Sequence, residues 1–272
     1  MKKFKNYLYC LVPLLCTLLI HLVVMFLAKL INGLILTIQE INEKNIDFDL
    51  TILNRNMEIG PQLNEIMLIV AAAICIICFG WYFKRNKVEA TQPVREILSV
   101  KLFLLLIILG ISLQFLNFIM LSFIFSSDSS LTLQPEPIRS IDIITLVFEG
   151  LFAPVSDELI FRGVILSKCR KYMPFAAANI FQSVMFGIYH MNPIQGLYAF
   201  MMGLFLGYVM KHFNSIVVPI ILHMIINISG NLAVFIPANL VPTESPIYLV
   251  IGIALIAACM VGIEKCKRIA KE

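Results

Sequence analysis

Six residues in the second half of the chain have the types and spacings needed to hydrolyse an amide. Asp157, Glu158 and Arg162 stand in "APVSDELIFRG", His190 closes "FGIYH", and His223 and Asn227 bound "HMIIN". Glu158 and Arg162 are four residues apart, so on a helix they share a face and can pair. Asp157 is turned about 100° away and is free for another task. His223 and Asn227 have the same i, i+4 spacing. A carboxylate and a histidine can activate a water, one as base and the other as its orienting partner. A second histidine and an asparagine can donate hydrogen bonds to the oxyanion that forms when water adds to a carbonyl.

Each piece also has a structural reading. Glu158–Arg162 alone is an ordinary ion pair, a transmembrane histidine can bond a backbone carbonyl, and His223–Asn227 can tie two helices together. The setting weighs against taking them singly. The chain has 272 residues, of which 60% are hydrophobic and only 14% charged, against about 25% charged in a soluble domain. Its mean hydropathy is +0.90. Such a chain is an all-α, polytopic membrane bundle. A charge near mid-membrane costs about 2.5–3.5 kcal/mol even on the translocon scale, so these groups need one another or a water-filled cavity. The net charge of +4 reads as membrane orientation, not as nucleic-acid binding.

A helix needs about 20 apolar residues to cross the hydrocarbon core. Eight segments qualify, at roughly 7–37, 66–84, 102–126, 143–168, 174–192, 194–211, 215–237 and 246–263. The first is long enough to tilt or bend near Pro13. Its length and the lack of a small-residue cleavage site set it apart from a signal peptide, so it is read as a retained span. Basic residues gather in alternate loops. Lys2, Lys3 and Lys5 precede span one, and Lys84, Arg85, Lys87, Arg95 and Lys101 follow span two. Lys168, Arg170 and Lys171 follow span four, Lys211 follows span six, and Lys265, Lys267, Arg268 and Lys271 end the chain. The loops between are acidic or nearly uncharged. Residues 38–65 are acid-rich, 127–142 hold one base, Arg139, and 238–245 hold one charge, Glu244. With eight spans every basic loop falls on one side, which puts both termini in the cytoplasm. Three blocks follow: spans one to three in 1–126, a core with the chemistry in 140–237, and a last span with a basic tail in 238–272.

At 1.5 Å per residue, Asp157, His190, His223 and Asn227 lie roughly 20, 24, 12 and 18 Å from the cytoplasmic ends of their helices. Polar groups from three spans thus share one layer. Other polar residues are expected to serve structure. Glu149 faces a cavity or a neighbour, His21 is a packing histidine, and His212 is a solvated loop residue beside Lys211. Cys75 and Cys78 form "CIIC" inside a span with no second pair, so packing is expected there and not metal or redox chemistry. Gly196, Ala199, Gly203 and Gly207 make a small-residue stripe suited to helix packing. Pro154, Pro193 and Pro219 can bend or end helices.

These three segments resemble the motifs of the CAAX-protease and bacteriocin-processing family of intramembrane peptidases. "DELIFRG" is similar to its E-E-x-x-x-R, Phe186 to His190 to its F-x-x-x-H, and His223 to Asn227 to its H-x-x-x-N. The resemblance covers about residues 140–235. It implies an eight-span bundle, in a bacterial cell membrane, with a catalytic cavity inside the bilayer. A carboxylate and the first histidine would activate water, His223 and Asn227 would stabilise the oxyanion, and Arg162 would anchor the acids. It implies a membrane-anchored peptide or protein as substrate and no cofactor; zinc held by His190, His223 and Glu158 is the alternative. One residue departs from the pattern: Asp157 stands where the family usually has Glu, one methylene longer. Two other readings are a non-catalytic scaffold or bacteriocin self-immunity factor of the same fold, and a proton-coupled transporter. The transporter reading lacks any inverted repeat.

Overall fold

The computed structural model describes residues 2–86, 99–127, 142–233, 235 and 246–269. Lys87, Arg95, Arg139, Glu244 and Lys271, on which the orientation argument draws, lie outside them. Among the described residues there are nine helices and no strand. They are α1 (Lys2–Lys44), α2 (Leu50–Asn56), α3 (Pro61–Arg85), α4 (Val100–Ser127), α5 (the continuous run 143–169), α6 (Phe175–Tyr189), α7 (Pro193–Phe213), α8 (Val217–Ala233) and α9 (Pro246–Ile269). Each expected span coincides with one of these. Five helices are long and apolar enough to cross a membrane: those containing Leu8–Lys44, Pro61–Arg85, Val100–Met120, Pro193–Phe213 and Ile247–Cys266. The chain is an integral membrane protein with an all-α bundle. α6 and α8 are apolar but shorter, and α5 is interrupted by its charges. These three carry the six candidate residues.

Local chemistry sets the helix ends. Pro61 and Pro193 occupy the first turns of α3 and α7, where a missing N–H costs nothing. Asn192 caps α7, its Oδ1 accepting from the amides of Ile194 and Gln195 at 3.0 and 3.1 Å. Asp142 caps α5 in the same way through Ile144. Asn214 ends α7 in the left-handed region at φ 50°, a conformation that asparagine tolerates better than most residues.

Two expectations are corrected. The first helix does not end near 37 but continues to Lys44 and passes through Pro13. The acid-rich segment after it is not all loop, because Asp49 caps α2 by accepting from Thr51 N at 2.9 Å. α2 folds back on α1, with Asn32 Nδ2 donating to the carbonyls of Asn56 and Glu58. Second, His212 is not a solvated loop residue. It is buried in the last turn of α7, stacked on Tyr208 and 3.4 Å from Glu264 of α9.

α6 and α7 pack most closely, and glycine allows it. A Cβ on Gly187 would stand 2.6 Å from Gly196 O, and one on Gly203 2.9 Å from Ser183. The carbonyls this exposes are used. Gln182 Nε2 donates to Gly203 O, and Asn179 Nδ2 to Leu204 O, both at 3.0 Å. The small-residue stripe therefore serves packing. Cys75 is buried in the core while Cys78 is exposed. Outer faces are apolar: Leu15, Leu19 and Leu22 of α1 are largely exposed, as a lipid-facing surface requires.

Gly187→Ala should destabilise the protein by about 1–3 kcal/mol, because the added methyl meets backbone. Gly80→Ala should be neutral or stabilising, since its nearest neighbour is Leu159 at 3.9 Å. Thermal unfolding of the two variants in detergent checks this, and equal losses at both positions would contradict the close α6–α7 approach.

Candidate active site

The site is built on an irregular helix. α5 is π-helical over Phe148–Phe152 and again over Glu158–Leu166, and such turns concentrate at functional sites. In the first π turn Ala153 N–H bonds Phe148 O, five residues back. The next such bond would run from residue 154 to Glu149 O, but Pro154 has no N–H. Asn227 Nδ2, from α8, donates to that vacant carbonyl at 2.8 Å. A proline, a widened turn and a neighbouring asparagine thereby lock α5 to α8.

In the second π stretch Glu158 and Arg162 are fully buried and 2.9 Å apart. His223 Nδ1 lies 2.9 Å from the same carboxylate oxygen, Oε1. Arg162 also sits over the ring of Phe186, 4.5 Å from its centroid, a cation–π contact strengthened by desolvation. Phe186 does a second job, since its carbonyl accepts from His190 Nδ1 at 2.8 Å. Because a carbonyl can only accept, that nitrogen carries the proton. Neutral His190 therefore presents an unprotonated Nε2.

A cavity of about 590 Å³ opens above this layer. Asp157, His190, His223 and Asn227 line it, whereas Glu158 and Arg162 do not. Asp157 lies within Coulombic reach of His223, Glu158 and Arg162. All six sequence-derived residues are thus brought together, in two tiers. Glu158 and Arg162 form a dry foundation, and the other four form the wall.

Sequence reasoning missed Tyr189 and several carboxamides. Tyr189 OH is 3.3 Å from His21 Nε2, and His21 Nδ1 is 3.0 Å from Thr17 O. His21 is a packing histidine as expected, yet it and Tyr189 also line the cavity. Gln114, Asn117, Gln195 and Asn231 line it too. Their signal was present as uncharged polar residues in apolar spans, but a search for charges and imidazoles passes over them. Glu149 proves to face the cavity. Among the described residues no three His, Cys, Asp or Glu side chains form a metal-ligating group.

Residues 139–229 match the family model described as type II CAAX prenyl endopeptidase, Rce1-like. It is the family that the three motifs resemble, it is a peptidase family, and the matched segment contains all six residues. No curated protein and no solved structure matches the chain.

Arg162→Met leaves the Glu158 charge buried without its cation, at a cost of about 3–5 kcal/mol. Pairing it with Glu158→Gln removes both charges and should restore most of that loss. Denaturation of the single and double variants measures the coupling; equal losses in both would mean that the pair is not interacting as described.

Proposed function

We propose that the protein is an intramembrane endopeptidase that hydrolyses peptide bonds of membrane-anchored peptides or proteins. One observation carries the reading. Of the two adjacent acids, only Asp157 faces the cavity, while Glu158 Oε1 is engaged by both Arg162 and His223.

That division assigns the roles. Asp157 takes a proton from a water whose second hydrogen bonds the bare Nε2 of His190. The water oxygen adds to the substrate carbonyl, and negative charge moves to the carbonyl oxygen. His223, protonated on both nitrogens and held by Glu158, donates to that oxyanion through Nε2–H. The second N–H of the Asn227 carboxamide, not used on Glu149 O, is the other donor. Protonated Asp157 then passes its proton to the departing nitrogen, giving an acid and an amine. Arg162, 2.9 Å from Glu158 Oε1, orients that carboxylate. The scheme routes no step through a metal, and activity is expected to survive chelators.

Asp157 is shorter than the Glu usual in the family, and a misplaced base can cost roughly a hundredfold in rate. The preceding π turn supports its use here, because a widened helix changes where the side chain at 157 emerges. Both termini are placed on the cytoplasmic side, from the basic loops.

The test is cleavage of diverse membrane-anchored peptides in proteoliposomes, read by mass spectrometry, with and without chelator. Asp157→Asn should lower kcat by at least about a hundredfold while leaving the melting temperature within a few degrees. Glu158→Gln should lower both. An Asp157→Asn protein that cleaves like wild type would sink the assignment. A folded wild type that cuts nothing in a broad set would favour the scaffold reading.

A further inference from the structure

Lysine and arginine stand at both ends of the bundle, but they are partnered differently. At the end where α1 meets α2, Lys44 and Arg55 both bind Glu40, at 2.7 and 2.5 Å. At the other end α3, α5 and α7 finish. There Lys84, Arg85, Lys168, Arg170, Lys171 and Lys211 have no carboxylate partner among the described residues. All but the half-buried Lys168 are exposed. Few described acids are near. The chain has no Asp or Glu from residue 159 to 233, and α3 has none after Glu65. Glu264 of α9 is engaged by Tyr208 and His212 of α7.

Aromatic rings hold three of these cations instead. Lys168 Nζ of α5 lies 5.1 Å from the ring centroid of Tyr82 on α3. Lys211 Nζ of α7 lies 4.3 Å from that of Phe175, the first residue of α6. Arg85 sits over Trp81 at 5.0 Å. The first two contacts join four helix ends into one surface, and the turn bearing Arg170 and Lys171 runs between them. A ring face attracts a cation but accepts only a weak hydrogen bond. Most N–H donors of these groups therefore remain for another partner. The rings also fix the height of the patch. Tyrosine and tryptophan settle at the level of the lipid headgroups, and Trp81 is 61% exposed on a membrane-spanning helix. The cations beside them stand where a bilayer presents its phosphates.

We infer that this face binds the headgroups of anionic phospholipids. Lys168, Arg170 and Lys171 form its centre, flanked by Lys84 and Arg85 on α3 and by Lys211 on α7. A phosphate supplies the acceptor oxygens and negative charge that these cations do not find within the chain. A zwitterionic headgroup brings an ammonium of its own, which the patch repels, so lipids with a net negative charge are preferred. A lipid seated there bridges the ends of α3, α5, α6 and α7, and so braces the helix that carries Asp157, Glu158 and Arg162. None of the six cations lines the cavity, and lipid binding here is independent of the cavity's chemistry.

Trp81 is the single tryptophan of the chain and reports on this face directly. Full-length protein is reconstituted in phosphatidylcholine vesicles containing a minor fraction of phosphatidylglycerol. One lipid or the other carries bromine on its acyl chains, so quenching of Trp81 reads which of them lies beside it. Phosphatidylglycerol should be enriched there about threefold or more over its bulk fraction. Added salt should reduce the enrichment, because exposed charges are screened. Lys168→Gln, Arg170→Gln, Lys171→Gln and Lys211→Gln combined should remove most of it; Arg85 is kept so that the surroundings of Trp81 do not change. Lys168→Arg, Lys171→Arg and Lys211→Arg combined keep the charge and should preserve it. Lys44→Gln with Arg55→Gln, at the other end, should leave it unaltered.

Equal quenching by the two lipids overturns the inference. So does an enrichment that survives the glutamine variant, or one that the arginine variant loses to the same extent, since charge is then not what is read. Loss of the enrichment on adding inorganic phosphate at constant ionic strength would assign the face to a free anion and overturn the lipid assignment. Binding of soluble polyglutamate without lipid enrichment would mark a protein-docking face, with the same consequence. Thermal unfolding in detergent checks that each variant is folded. If the glutamine variant is not, wild type decides alone: an enrichment insensitive to salt overturns the electrostatic site.

Discussion

Glu158 is ionisable and wholly buried, and a single oxygen of its carboxylate receives both the guanidinium of Arg162 and the imidazole of His223. Removing charges from water is expensive, and only close, mutually satisfying partners offset it. The interaction dictates much around it. Arg162 must be four residues on, on the same face of α5. α8 must approach closely enough for His223 to arrive. Phe186 must present its ring to the other side of the guanidinium, and in doing so α6 delivers His190. Three helices are therefore held by one charge cluster, and the cavity wall is what they present on its upper side.

Irregular backbone and small residues let those helices meet. α5 is a succession of α and π turns, and Pro154 leaves a carbonyl that Asn227 takes up. On the opposite flank, Gly187 and Gly196 let α6 and α7 touch backbone to backbone, and Asn179 and Gln182 bond carbonyls of α7 across the seam. Association in lipid gains little from apolar burial, so close contact and polar ties carry more of it. The longer apolar helices α1, α3, α4 and α9 give the bundle its lipid-facing exterior.

The proposed function rests on a division of labour between adjacent acids. Two neighbours on a helix point in different directions, so one carboxylate becomes foundation and the other becomes wall. A site with two equivalent exposed acids would have to keep both charged beside each other. Here Glu158 is paired from below with Arg162 and His223, and Asp157 faces the cavity, where the proposed mechanism has it meet water and substrate.

Composition and apolar run lengths were enough to read the helical membrane class and the position of every long helix, because crossing a hydrocarbon core demands about 20 apolar residues wherever it happens. The six polar residues were legible for the same reason, since a charge or imidazole in such a run is costly and stands out. The i, i+4 spacing already paired Glu158 with Arg162, a contact local to one helix. What the sequence did not contain were relations between helices. That His223 bonds Glu158, that Asn227 fills the carbonyl left by Pro154, and that Asp157 and not Glu158 faces the cavity all depend on how α5, α6 and α8 are set against one another. His212 was misread as solvated because it packs against α9, whose Glu264 is 52 residues further along the chain. Glu149 and Asn117 line one cavity only because α4, α5 and α8 close around one space, and spacing along a single chain does not specify such neighbours.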